Sequence, residues 1–312
     1  MTSSGLRVVD AGLQASVQDQ GRAGLSGLGV PVGGAADRAA LELVNGVLGN
    51  ERGAAGLELT LTGGAYLCER RTRVAVGGAP AEAWVERAGG GRELVPWWTV
   101  VGLGPGDMLR IGHTRAGARM YVGFSGGLQT PVAMGARSTH VGAGFPVPVL
   151  RAGAVLPVAD IPGQAAPVGA ALAREQVDRY ARGVFRDCLR VVPGPHAEMF
   201  DGAAMHRLCT EGFVVGSDSS RAGVRLRVQP ALPAPARTLL TMPMCAGFIQ
   251  VPGGGQAIIL GREHPTTGGY PVLASVIAAD LDAVGQLRPG FSVRFEEVSR
   301  EGALRAWRGA RA

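Results

Sequence analysis

The sequence predicts a mainly β protein of two tandem β units with a few short helices, arising from an internal duplication. Three observations carry this. Glycine supplies 50 of 312 residues, about 16% and roughly twice the usual share, with no collagen-like period, which marks a turn-rich chain. Short runs alternate strictly between apolar and polar, as in LELTL (Leu57–Leu61) and VRLRV (Val224–Val228), so that one set of side chains meets a core and the other meets solvent. The string LRVV occurs at Leu6–Val9 and again, 183 residues later, at Leu189–Val192. The same offset matches Arg38 to Arg221, Leu57 to Leu240 and Gly64 to Gly247, and LGPG (Leu103–Gly106) meets LRPG (Leu287–Gly290) one residue later.

Further strands are expected at VAV (Val74–Val76), MLRI (Met108–Ile111) and AIIL (Ala257–Leu260), each bounded by glycine or proline turns. An antiparallel barrel or sandwich in each half is the natural packing. Leu41, Val44 and Leu48 lie at helical spacing, so a helix is expected over Asp37–Leu48, with Asp37 in its first turn and Gly49-Asn50 as its stop. A second helix is expected after Asp201, in AAMHRL. The Pro, Gly and Ala-rich stretch from Pro157 to about Ala171 reads as a linker, and Leu172–Phe185 as a connecting helix. The resulting organisation is a first β domain over 1–156, linker and connecting helix over 157–186, a second β domain over 187–300 and an arginine-rich tail over 301–312.

Composition excludes several chemistries. All 31 Lys+Arg residues are arginines, so the chain has no Walker A lysine, no kinase-type lysine, no Schiff base to pyridoxal phosphate and no biotinyl-lysine. ATP or biotin, where needed, must come through another chain, and no cofactor is bound covalently here. The four cysteines form no C-x-x-C and the histidines show no metal-ligand spacing, so neither a zinc site nor a disulfide framework is expected. The arginines are dispersed and aromatics make up 5%, which argues against nucleic acid despite a net charge of +6. MTSSGLRVVD is unlike a signal peptide and no apolar run approaches the roughly 18 residues of a membrane span, so a soluble cytoplasmic protein is expected.

Two local motifs invite chemistry. GFSGG (Gly123–Gly127) matches a nucleophile elbow, but Gly126, Gly127 and Pro131 oppose the helix that must follow, so Ser125 reads as a tight turn leaving a strand. REHPTTGGYP (Arg262–Pro271) gathers a cation, a carboxylate, an imidazole, two hydroxyls and two glycines directly after a strand. Glycines let a ligand approach the backbone, and histidine transfers protons near neutral pH. Arg221 in SSRAG and Arg38 in AADRAA either bind an anion or pair with a nearby acid such as Asp37.

Taken together, SVQDQGRAG (Ser16–Gly24), GLGVPVGGAADR (Gly27–Arg38), NGVLGN (Asn45–Asn50), LELT, GARST (Gly135–Thr139), LRVVPGP (Leu189–Pro195), FIQVP (Phe248–Pro252) and PTTGGYP resemble the A and B subdomains of the biotin-dependent carboxyltransferase family. That family includes allophanate hydrolase subunit 2, the Kip antagonist protein and the C-type subunit of 5-oxoprolinase. The resemblance runs from about Leu6 to Phe295 and implies two cyclophilin-like β-barrels.

The function it implies is that of a C-type component of a bacterial ATP-dependent 5-oxoprolinase, working with two companion 5-oxoprolinase subunits, the A-type and the Kip inhibitor-like B-type. The alternatives are the carboxyltransferase part of a biotin-dependent urea carboxylase or urea amidolyase system, and a non-enzymatic Kip antagonist-type regulator that binds a sensor-kinase inhibitor. His264, Glu263, Thr266 and Thr267 are the implied catalytic residues. Arg221, Gln250, Gly268, Gly269 and Tyr270 in the second half, and Gln18, Asp19, Arg22, Asp37, Arg38 and Glu58 in the first, are the implied substrate-binding residues. By role, arginines hold carboxylate or phosphoryl oxygens, His264 or Glu263 moves a proton, and the Thr266–Gly269 turn offers donors to a developing oxyanion. The second half departs from the family pattern at Ser220, Val224, Met242, Glu263–Thr266 and Val272, whereas the first half keeps it far better.

Overall fold

The structure is a computed structural model that describes residues 5–235 and 239–311. The chain divides into two compact units, one comprising the chain up to Arg22 together with Gly33–Ala181, the other comprising Ala23–Val32 with Arg182 onward. Among the described residues, five α-helices punctuate an otherwise β architecture: α1 (Arg38–Leu48), α2 (Arg174–Val184), α3 (Gly202–Thr210), α4 (Leu281–Gln286) and α5 (Arg300–Arg311).

The first unit holds two antiparallel sheets. Six strands run in the order Val155–Leu156, Leu6–Asp10, Thr62–Cys68, Met108–Thr114, Ala81–Glu86 and Arg92–Leu94. Five more run Ala15–Gln18, Gly56–Thr60, Arg119–Phe124, Thr72–Gly78 and Val101–Leu103. The middle strand, Arg119–Phe124, is buried along its whole length because α1 packs on it and on Thr72–Gly78. Only glycine fits at Gly123, where a Cβ would lie 2.5 Å from Val44 Cγ1 and 2.8 Å from Leu48 Cδ1. Helix α1 starts one residue later than expected. Asp37 is extended, with φ −112° and ψ 93°, and caps the helix through the Ala40 N–H instead of sitting in its first turn. Gly49, in the left-handed region, ends it as the sequence predicts.

In the second unit seven strands close a barrel, in the order Cys188–Pro193, Val272–Val276, Phe248–Gln250, Ile258–Leu260, Gly223–Arg227, Phe213–Val215 and Ser292–Glu297. The closing pair is parallel, with Cys188 opposite Arg294. Leu189, Val191, Leu226, Ile249, Ile259, Leu273 and Phe295 fill the interior from alternate positions of these strands. Asp201 caps α3 through the Ala204 N–H.

The repeat preserves local structure at its two ends. LRVV lies in a strand in both units, Leu6–Asp10 and Cys188–Pro193, and the proline-glycine turns with left-handed Gly106 and Gly290, 184 residues apart, each precede a strand, Met108–Thr114 and Ser292–Glu297. Between those ends it does not. Arg38 opens a helix, whereas Arg221 lies in a turn ahead of the strand Gly223–Arg227, so the two arginines are not at equivalent places.

The Pro157–Ala171 stretch is laced to the first unit. Arg73 Nη1 donates to the carbonyls of Ala165 (2.9 Å) and Ala166 (2.7 Å), and the Val100 N–H donates to the Ala170 carbonyl at 2.8 Å. Helix α2 follows within the expected connecting segment. The arginine-rich end of the chain is helical as α5, with Glu301 and Arg305 paired at i and i+4.

Candidate functional site

In the second unit the REHPTTGGYP run leaves the strand Ile258–Leu260 and returns as Val272–Val276. Its start is zipped to the turn carrying Arg221: the Gly261 N–H donates to the Ala222 carbonyl at 3.0 Å and the Glu263 N–H to the Arg221 carbonyl at 3.1 Å. The side chains meet in the same place. Arg221 Nε donates to Glu263 Oε1 at 2.6 Å, with the two side chains 2% and 4% exposed. Arg221 therefore directs its guanidinium onto Glu263, and the pair fixes the root of the loop.

His264, also buried, places Nδ1 2.8 Å from the Pro265 carbonyl oxygen. A carbonyl can only accept, so Nδ1 carries the proton of the neutral ring and Nε2 keeps its lone pair. Burial holds the imidazole below its ordinary pKa of 6.5, and the nearby Arg262 cation works in the same direction. The neutral tautomer with a basic Nε2 is thus the form present near neutral pH.

The glycine turn is anchored from the other side. The Met244 N–H donates to the Thr266 carbonyl at 2.9 Å, and Thr267 and Gly268 pair with Pro243 and Met242. Gln250, at the end of its strand, donates Nε2 to Met244 Sδ at 3.3 Å. A Cβ on Gly268 would stand 3.2 Å from Met244 Cε and 3.4 Å from Gln250 Nε2, so a side chain here would press on both. Thr267 and Tyr270 are exposed, and Thr266 and Gly269 half-buried. The loop thus joins a buried ion pair, a neutral imidazole and an accessible glycine turn beside an apolar cluster of Met244, Leu260 and Val272.

The second-half departures have structural places here. Val272 is fully buried in that cluster, Met242 pairs with Gly268, Val224 lies in the barrel core, and Ser220 Oγ accepts the Ala222 N–H at 3.2 Å.

The first-unit residues form two groups. Asp37, Glu58, Tyr121, Arg119 and Tyr180 make one buried network. Tyr121 Oη donates to Glu58 Oε2 (2.8 Å) and accepts the Asp37 N–H (2.8 Å), the Ala36 N–H donates to Glu58 Oε2 (2.8 Å), and Tyr180 Oη donates to Asp37 Oδ2 (2.6 Å). Arg119 stands 3.4 Å from Glu58 Oε1. Burial, followed by the charges of Glu58 and Asp37, pushes the Tyr121 phenol far above its ordinary value, so it remains a donor. Arg38, at the helix start, donates to the Gly33 carbonyl at 3.4 Å.

Gln18, Asp19 and Arg22 form the second group, around the GARST segment. Gln18 Nε2 donates to Ser16 Oγ and to the Thr139 carbonyl, and Arg22 donates to the Ala133 and Ser138 carbonyls. Asp19 Oδ1 accepts the Gly21 N–H at 2.8 Å and the Ser138 hydroxyl, and its Oδ2 accepts the Arg137 N–H at 2.6 Å. Asp19 borders an open cleft of about 460 Å³ in this unit, with Gly49, Asn50, Glu51, Gln129 and Arg137 among its other walls. Segments far apart in sequence, SVQDQGRAG, NGVLGN, GFSGG and GARST, converge there. The sequence does not mark Asn50, Gln129 and Arg137 as site residues; membership in the segments NGVLGN and GARST is the available signal for Asn50 and Arg137.

Among the described residues no group of three or more His, Cys, Asp or Glu side chains is placed to hold a metal ion, and no helix is long and apolar enough to cross a membrane. The absence of lysine leaves no standard phosphate-binding loop for ATP.

Residues 28–297 match the family described as carboxyltransferase domain, subdomain A and B. The chain is similar to the 5-oxoprolinase C subunit of Escherichia coli, 31% identical over 96% of this chain and 94% of the relative. It is likewise similar to the 5-oxoprolinase C subunit of Haemophilus influenzae, 29% identical over 96% and 93%. Among solved structures, the Kluyveromyces lactis urea carboxylase superposes with a TM-score of 0.85 at 25% identity, covering 100% of this chain and 29% of that one.

Proposed function

We propose that this chain, a member of the carboxyltransferase subdomain A and B family, acts as the C-type subunit of an ATP-dependent 5-oxoprolinase. With its A-type and Kip inhibitor-like B-type companions it opens the lactam of 5-oxoproline to glutamate. The observation that carries this reading is the match to the Escherichia coli C subunit, 31% identical over 96% of this chain, beside 28% to the Lachancea kluyveri urea amidolyase.

Ring opening adds water across an amide: the C–N bond breaks, the carbonyl carbon gains an oxygen and the ring nitrogen gains a proton. The second-unit loop offers groups suited to each part. His264 Nε2 takes the proton of the attacking water and passes one to the departing nitrogen. The Thr266–Gly269 turn offers backbone donors to the oxyanion, and the Arg221–Glu263 pair holds the loop in position. Lysine being absent, ATP is handled by the companion subunits.

A second reading, carboxyl transfer to urea from biotin carried on another chain, is favoured by the full-length superposition on the urea carboxylase. Co-expression with the companion subunits, followed by assay of ATP-dependent glutamate release from 5-oxoproline beside carboxyl transfer from carboxybiotin to urea, tests both. Glutamate release alone is expected. Carboxylated urea would establish the second reading, and a sensor-kinase inhibitor as the one partner captured would point to a regulator.

A further inference from the structure

The first-unit cleft holds a cation and an anion that the proposed reaction does not use. Arg137 is aimed by two contacts, Nη1 to the Thr130 carbonyl and Nη2 to Gln129 Oε1 at 3.1 Å, while Gln129 is itself pinned by donating Nε2 to the Gly126 carbonyl at 2.9 Å. A guanidinium has five N–H donors, so Arg137, which lines the cleft, keeps donors beyond these two contacts. Asp19 makes no ion pair with that guanidinium among the described residues; its oxygens accept from the Gly21 N–H, the Ser138 hydroxyl and the Arg137 backbone N–H.

Another part of the lining is negative. Gly49 caps the C-terminal end of α1, whose last turn contains no basic residue, and Glu51 beside it is exposed and makes no ion pair among the described residues. The partial negative charge of a helix C-terminus and a carboxylate together favour a bound cation. Ala54, Ala55 and Leu128 add apolar surface. A volume of about 460 Å³ suits a small molecule.

We infer that this cleft binds a small α-amino acid as its zwitterion, the carboxylate on Arg137 and the ammonium at Glu51 and the α1 C-terminus. A plain dicarboxylate leaves the negative end unmatched, and a lactam brings no ammonium. Only the choice of L-glutamate as a probe rests on the proposed reaction; L-alanine tests the site independently of it.

The experiment is calorimetric titration of the full chain with L-glutamate, L-alanine, glutarate and 5-oxoproline, repeated on Arg137→Ala and Glu51→Gln. At least one of the two amino acids is expected to bind saturably, with glutarate and 5-oxoproline about tenfold or more weaker and each substitution costing about tenfold. Glu51 is exposed, so its variant reads binding without disturbing the fold. Equal binding of glutarate, affinity unchanged in both variants, or no binding of either amino acid below about 10 mM would overturn the inference.

Discussion

Arg221 and Glu263, 42 residues apart in sequence, form a buried ion pair at 2.6 Å that ties the turn before one barrel strand to the loop after another. The sequence offers Arg221 as a hand for a substrate's carboxylate and Glu263 as a proton carrier; the fold turns each toward the other.

Breaking this pair should therefore be costly while replacing it whole should not. Arg221→Ala leaves a buried carboxylate without its guanidinium and is expected to destabilise by about 3–5 kcal/mol, whereas Arg221→Met with Glu263→Leu stays near wild type. Urea midpoints decide it. A single variant as stable as wild type would remove the pair from the account.

A second relationship ties α1 to α2 across 143 residues, with Tyr180 Oη donating to the Asp37 oxygen that is not occupied by the helix cap. Asp37→Ala loses both contacts and is expected to cost about 2–4 kcal/mol, Tyr180→Phe about 1–3. The double variant should cost clearly less than the two single costs together. Full additivity in thermal melts would contradict the contact.

His264 gives stability a pH dependence with a definite sign. Its folded pKa lies below the ordinary 6.5, so the unfolded chain takes up the proton first. The residue's contribution is complete above about pH 6.5 and is lost as pH falls through that value toward the lowered folded one. Denaturant melts from about pH 8 to about pH 5 should show wild type losing stability relative to His264→Gln on the acid side alone. A gap that widens toward alkaline pH would reverse the assignment.

The cysteines should separate by reactivity. Cys245 is exposed, whereas burial pushes the Cys68 thiol up to about 11 and raises Cys188 and Cys209 as well. One fast phase with a chromogenic disulfide is expected on the native protein, lost in Cys245→Ala. Modification of Cys68 at the same rate as Cys245 would contradict its burial.

Much of this architecture was legible where the signal is local. LELTL and VRLRV both mark strands, but only VRLRV alternates in burial, because Glu58 is buried along with Leu57 and Leu59; the Leu41, Val44, Leu48 spacing with Gly49 marks α1. What depends on distant partners was not. Asp37 could be placed near a helix start, but its role as cap and as acceptor for Tyr180 needs residues far along the chain. The offset that equates Arg38 with Arg221 is a property of the string, and the elements between the repeat's ends differ in kind. Arg137 sits in a recognisable segment, yet only the convergence of that segment with α1 and the Gly126 turn makes a cleft. The α5 segment, arginine-rich and only mildly apolar, has the composition of a solvated tail and is helical nonetheless.

The central claim, that the neutral imidazole of His264 moves a proton in ring opening, is tested most directly by glutamate release from the reconstituted complex. Wild type and His264→Gln are compared at saturating ATP and 5-oxoproline, with assembly checked for both. The account predicts turnover by wild type and a loss of about 10²–10⁴ in the variant at unchanged complex formation. A variant that assembles and releases glutamate at the wild-type rate would contradict it.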